Sequence, residues 1–191
     1  MFSHKVILAS QSPRRRELMQ LAEIDFDVIV ADTDESYPTS LSFEEIAIHI
    51  AKNKALAIAH QNKTDKIIIA ADTIVVCNDR VIGKPKNEDD AVKIISKLSG
   101  KKHNVITGVY MVQKTKEIFF ADVTEVSFHN LTETQIKYYV NKYKPFDKAG
   151  AYAIQEWIGA VGIKNINGDF YNVMGLPISR VVAALQEFES Y

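Results

Sequence analysis

Asp72 is a carboxylate in a place where carboxylates are expensive. Ile67–Ile68–Ile69–Ala70–Ala71 precedes it, and Thr73–Ile74–Val75–Val76 follows. Burying a charged carboxylate without a partner is unfavourable, because desolvation penalises the ionised form. A metal ion or a cationic side chain must therefore compensate Asp72, unless it merely caps a turn at the end of a strand. Lys84 is one candidate, on the loop Gly83–Lys84–Pro85 that glycine and proline should turn. Lys54 is another. It continues the apolar stripe Phe43, Ala47, Ile50 and Ala51 of an amphipathic helix over Phe43–His60, between Ile50 and Ile58. An inward lysine ordinarily snorkels to water. The alternative is that Lys54 points into a cleft and meets a buried anion.

A second group of cations opens the chain. Val6–Ile7–Leu8–Ala9 reads as a buried strand, followed by Ser10–Gln11–Ser12–Pro13–Arg14–Arg15–Arg16. Ser12 suits an N-cap and Pro13 the first helical position, so a helix begins there. Arginines in a first turn oppose the helix macrodipole, at about a few tenths of a kcal/mol each. A solvated basic face accounts for Arg15 or Arg16 taken singly. Arg14 shares a face with Leu18 and Leu21 and leans towards the core. Strand, serine-rich turn, helix N-terminus and guanidinium groups together make an anion pocket suited to phosphate. Further on, Asp32–Thr33–Asp34–Glu35 reads as an acidic loop whose members are mostly solvated.

These groups need a scaffold, and the remaining pattern supplies one. The apolar run 67–71 predicts a strand that stops at Asp72, with a second over 74–76 before a turn at Asn78–Asp79. Asn87 caps a helix with inner residues Ala91, Ile94, Ile95 and Leu98, and Gly100 ends it. His103–Val112 and Ile118–Phe128 predict an antiparallel hairpin. A helix over Leu131–Lys142 follows, with Thr132 as its cap. Gly150 suggests close backbone approach. Val161–Ile166 reads as a strand, and Met174–Gly175–Leu176–Pro177 turns the chain into a last helix with Val181, Val182, Leu185 and Phe188 inward. Strands and helices mix without strict alternation, which predicts an α/β fold with a mixed sheet flanked by helices.

Composition excludes several classes. The chain has 191 residues and is 47% hydrophobic, enough for a sizeable core. A net charge of −1 argues against nucleic-acid binding by bulk charge, so any anion must be recognised by locally placed cations. The single cysteine, Cys77, excludes an intrachain disulfide, fits a reducing compartment and reads as a small core hydrophobe. The start of the chain has no long apolar region, so neither signal peptide nor membrane span is expected, and a cytoplasmic protein is. His4, His49, His60, His103 and His129 are scattered without ligand-like spacing, and no P-loop or dinucleotide glycine fingerprint occurs.

Ser10-x-Ser12-Pro13-Arg14-Arg15, Ala71-Asp72-Thr73, Gly83-Lys84-Pro85, Leu98-Ser99-Gly100, Asp147-Lys148-Ala149-Gly150-Ala151-Tyr152 and Gly175-Leu176-Pro177 together resemble the Maf family, from about Ile7 to Leu185. The family is described as nucleoside triphosphate pyrophosphatases, once named for inhibition of septum formation. The resemblance implies one domain over residues 1–191. It also implies a mixed twisted sheet flanked by helices with a deep cleft, similar to the inosine triphosphatase fold. Arg14, Thr73 and Gln155 match the dTTP/UTP pyrophosphatase branch, whereas the branch acting on 7-methyl-GTP differs around Asp147–Gln155. One departure stands out. Relatives usually carry glycine after Gln155, and this chain has Glu156–Trp157, a pair bulky enough to reshape the loop that holds the base.

The resemblance assigns substrate binding to Ser10, Arg14, Arg15, Lys54, Thr73, Lys84 and Gln155, catalysis to Asp72, and a divalent cation, Mg²⁺ or Mn²⁺, as cofactor. The residue chemistry agrees. Arg14, Lys54 and Lys84 can neutralise a triphosphate. Hard carboxylate oxygens, from Asp72 and secondarily Glu35, suit such a metal. A water must be oriented or deprotonated, and Asp72 can be its base, a metal ligand or both. The implied partners are dTTP and UTP, without nucleic acid or membrane; homodimers occur among relatives. The rival readings are a nucleotide-binding regulator of division without turnover and a purine house-cleaning enzyme of the inosine triphosphatase type. A mere binder has no need of Asp72.

Overall fold

The computed structural model describes residues 5–62 and 64–189, so His4 lies outside it. In chain order its regular elements are β1 (Val6–Leu8), α1 (Pro13–Leu21), β2 (Phe26–Val28), α2 (Phe43–Gln61), β3 (Ile67–Cys77), β4 (Arg80–Ile82), α3 (Glu88–Leu98), β5 (Lys102–Gln113), β6 (Lys116–Phe128), α4 (Glu133–Tyr143), α5 (Trp157–Gly162), β7 (Ile163–Asn167), α6 (Phe170–Met174) and α7 (Ile178–Glu189). The strands form a seven-stranded mixed sheet in the order β2-β1-β3-β5-β6-β7, with β4 paired to β3. Among the described residues no helix is long and apolar enough to cross a membrane.

The chain divides into two compact units. The first comprises the chain through Asp72, Thr107–Asp122 and the segment from Gly175 onward. Here β1 runs parallel to both β2 and β3, with Val6 opposite Phe26 and Ile67. A parallel strand covered on both faces reads as a continuous apolar run, which is why Val6–Leu8 and Ile67–Ala71 lack alternation. Ile7, Ile68 and Ala70 pack with Ala51, Ala55 and Ile58 of α2 and with Tyr110 of β5. Gly108 permits this contact, since a Cβ there would stand 2.3 Å from the backbone of Ala47 and Ile48. Ser42 and Glu45 close a capping box at the start of α2.

The second unit comprises Thr73–Ile106 and Val123–Met174. The expected turn at Asn78–Asp79 is present, and both residues have positive φ, 51° and 55°. This conformation suits a two-residue hairpin connection, and it adds β4, an antiparallel strand absent from the expectation. Asn87 accepts from Asp90 N–H as the cap of α3, and Thr132 with Gln135 caps α4. Ile94, Ile95 and Leu98 of α3, Ile136, Tyr139 and Val140 of α4, and Val105, Val126 and Phe128 of the sheet share one core. Cys77 is buried there as a small hydrophobe, its thiol facing Lys102 O at 3.8 Å.

Most boundaries fall within two residues of expectation, and two differences change how the strands read. β3 does not stop at Asp72 but runs unbroken to Cys77, because the β-branched residues on either side sustain the strand and the carboxylate is compensated laterally. Val161 and Gly162 belong to α5, and the strand begins at Ile163. Short apolar runs of this kind fit either period.

Candidate functional site

Within the first unit, the turn after β1 and the start of α1 bind one arginine closely. Ser10 is buried, and its Oγ accepts from Ser12 N–H at 3.2 Å and from Arg15 Nη1 at 3.2 Å. Ser12 Oγ faces Arg15 N at 3.5 Å as the helix cap. Arg15 Nε donates to Gly175 O at 2.7 Å, tying the first helix to the residue that precedes Leu176–Pro177. Arg14 was the arginine expected to lean inward, yet Arg15 makes the described anchoring bonds. The buried residues of α1 are Leu18 and Met19, whereas Leu21 is 63% exposed. Arg15 lies three and four residues before that buried pair and so shares its face. Arg14 is half-buried beside it, and Arg16 is exposed, donating to Gln11 O at 3.3 Å.

Arg15 feels the charge of two carboxylates. Burial lowers the Arg15 pKa most, while the charges of Asp72 and Glu35 oppose that shift and Arg14 adds to it. A guanidinium stays protonated regardless, so Arg15 is a fixed cation in the field of Asp72 and Glu35.

Those carboxylates meet on one ammonium. Lys54 Nζ lies 2.6 Å from Asp72 Oδ1 and 2.7 Å from Glu35 Oε1. The Lys54 and Asp72 side chains are 18% and 14% exposed, whereas Glu35 is 50% exposed. Lys54 is thus the inward lysine that meets an anion, placed by the α2 stripe. Glu35, carried on the loop after β2, joins it from the solvent side. Asp34 in the same loop accepts from Ser36 N–H at 2.9 Å and serves the loop alone.

The other expected residues lie in the second unit. Thr73 follows Asp72 in β3 and is half-buried. Lys84 is exposed on the loop after β4, with no ion-pair partner among the described residues. Gln155 is exposed in the turn Ala153–Glu156, which is closed by Glu156 N–H donating to Ala153 O at 3.2 Å. The described contacts therefore join Ser10 to Arg15 and Lys54 to both Asp72 and Glu35.

The family of Maf-like proteins matches residues 5–188. The chain belongs to the Maf family. A protein of Parabacteroides distasonis named dTTP/UTP pyrophosphatase is 47% identical over 186 residues, covering 97% of this chain and 96% of that one. Proteins of the same name from Phocaeicola vulgatus and Bacillus cereus are 48% and 46% identical over 185 residues. They cover 96% and 97% of this chain and 96% of each relative. Among solved structures, the Staphylococcus aureus Ham1 protein is similar at 18% identity and a TM-score of 0.42, covering 65% of this chain and 71% of that one.

In this Maf chain, no group of three or more His, Cys, Asp or Glu side chains is gathered to hold a metal among the described residues. The available donors are two carboxylates, Asp72 and Glu35, already sharing one cation, the Lys54 ammonium. Such a pair fits Mg²⁺, which commonly binds through one or two carboxylates and completes its shell with water and substrate phosphates. Three features of the Maf chain were missed from sequence: the Gly175 carbonyl under Arg15, the hydroxyl of Tyr139 and the carboxylate of Glu156. Each acts through a contact distant in the chain: Gly175 lies within a recognised motif and Glu156 stands out as a departure in the base loop, but neither signal names the partner.

Proposed function

We propose that this chain is a nucleoside triphosphate pyrophosphatase that hydrolyses dTTP and UTP to the monophosphate and pyrophosphate. The observation that carries the reading is the Lys54 ammonium held between Asp72 and Glu35, with Arg15 in their field. Carboxylates for a metal and a water, beside cations for phosphate oxygens, form a set suited to phosphoanhydride hydrolysis. The names of the relatives at 46–48% identity support the same reaction and bases.

Each residue then has a proposed task. Ser10 and Arg15 shape the anion site at the start of α1, and Arg14, Arg15, Lys54 and Lys84 neutralise the triphosphate. Asp72 and Glu35 would hold Mg²⁺ or Mn²⁺, which when bound supplies charge neutralisation at the phosphates. Asp72 also accepts a proton from the attacking water. The water oxygen ends on one phosphoryl group as the α–β bridge breaks, leaving monophosphate and pyrophosphate. Thr73 and Gln155 are proposed on the base side. Uracil and thymine offer a carbonyl acceptor beside a ring N–H donor, which one glutamine amide can match. The family match spans residues 5–188, and we treat the chain as one functional domain. The single, buried Cys77 supports a reducing, cytoplasmic setting.

Incubating the pure protein with each nucleoside triphosphate, with Mg²⁺ and with Mn²⁺, tests this reading. Turnover highest on dTTP and UTP is expected. Preference for inosine or xanthosine triphosphate, or binding without turnover, would overturn it.

A further inference from the structure

The pair Glu156–Trp157, which follows Gln155, is docked on two successive tyrosines of α4. Tyr139 is fully buried, and its hydroxyl holds both ends of the turn that bears Gln155. It accepts from Ala153 N–H at 3.1 Å and donates to Glu156 Oε2. Glu156 Oε1 lies 3.6 Å from Lys148 Nζ, and Lys148 also meets Asp147 Oδ1 at 2.7 Å. Trp157 packs edge-on against Tyr138, with ring centroids 5.0 Å apart. On the α5 side, Gly159 lies against the turn so closely that a Cβ would stand 1.7 Å from Ile154 O.

This bracing bears directly on the base. An exposed glutamine on a turn is free to rotate, and a planar amide discriminates between bases only while its donor and acceptor keep their places. A hydrogen bond to an ionised acceptor is about twice as strong as a neutral one. The charge on Glu156 therefore holds Tyr139, and through it Ala153, more firmly than a neutral side chain would. The largely buried Lys148 ammonium balances that charge.

We propose that Glu156, acting through Tyr139 and Lys148, is a positioning residue that holds Gln155 for base recognition and so determines specificity among pyrimidine nucleotides. The inference rests on the reading that Gln155 meets the base.

Steady-state kinetics on UTP and CTP test it with wild type, Tyr139→Phe, Glu156→Ala, Glu156→Gln and Gln155→Ala. Tyr139→Phe removes both hydroxyl bonds and keeps the ring. Glu156→Gln keeps an acceptor for Tyr139 while losing the charge, and should rescue about half of what Glu156→Ala loses. Tyr139→Phe and Glu156→Ala should raise KM for UTP about tenfold, the scale of one lost hydrogen bond to a charged group, with kcat nearly unchanged. CTP should lose less, so the UTP/CTP ratio of kcat/KM narrows. In a Gln155→Ala background, Tyr139→Phe should leave that ratio unmoved, since both act through one group. Thermal unfolding of each variant establishes that the comparison is between folded proteins. If Tyr139→Phe does not fold, the Glu156→Ala and Glu156→Gln pair decides. A wild type indifferent to UTP and CTP would refute base reading by Gln155 and the inference with it. A discriminating wild type whose ratio survives in the folded variants would refute the positioning role alone.

Discussion

The Lys54 ammonium reaches Asp72 Oδ1 at 2.6 Å, joining the stripe of α2 to the interior of β3. This contact explains how a strand passes through a carboxylate without breaking. Both side chains are mostly buried, so removing one partner leaves a poorly solvated charge, a change worth about 3–5 kcal/mol at full burial. Because both retain some exposure, Lys54→Met should cost about 2 kcal/mol, nearer the penalty of an unsatisfied buried group. Chemical denaturation measures this, and kcat/KM on dTTP should fall by roughly a hundredfold or more.

Glu35 is the more exposed carboxylate on the same ammonium, and its removal should spare the fold. Glu35→Gln is expected to raise the Mg²⁺ concentration for half-maximal rate by about 10–100-fold, the scale of losing a group that supports a metal site. Metal titrations of the rate at saturating dTTP test this. An unchanged midpoint would remove Glu35 from the metal site.

Arg15→Lys replaces a planar fork with a single point charge. Lysine cannot donate to Gly175 O and Ser10 Oγ in the geometry that Nε and Nη1 adopt. A loss of about 1–2 kcal/mol of stability is expected, with a raised KM for dTTP. Differential scanning calorimetry and initial rates measure the two effects.

His103 gives the fold a pH dependence. It is 3% exposed on β5, its Nε2 is 2.7 Å from Tyr152 Oη, and Nδ1 has no hydrogen-bond partner. Burial lowers its pKa from 6.5 to about 4. The unfolded chain therefore binds a proton between pH 6.5 and 4 that the folded protein refuses. This contribution to stability is fully present above pH 6.5 and shrinks as pH falls, by about 1.4 kcal/mol per pH unit within that window. Denaturation midpoints at several pH values should show this slope in the wild type and a flatter one in His103→Gln.

What local rules reach was legible in the sequence. Ser12, Asn87 and Thr132 cap helices because capping depends on residues only three apart, and Lys54 sits on the face its stripe indicates. Asp72 interrupts the apolar run without ending the strand, because its compensation comes from another element. Spacing alone favours Arg14 over Arg15, but the inner face of α1 is set by Met19 together with Leu18, and Leu21 is left outside. Glu156 looked like an intrusion on the base loop. Its partners, Tyr139 and Lys148, lie on elements that no spacing rule links to it.

The most direct test is the product of dTTP hydrolysis with Mg²⁺, resolved by ion-exchange chromatography for wild type and Asp72→Asn. Asp72→Asn keeps the shape, and Lys54 retains Glu35, so the variant should fold. Equal amounts of thymidine monophosphate and pyrophosphate are expected from the wild type. Turnover in the variant should be lower by at least roughly a hundredfold, the scale of a lost general base. Thymidine diphosphate with orthophosphate, or near-normal turnover by Asp72→Asn, would contradict the account.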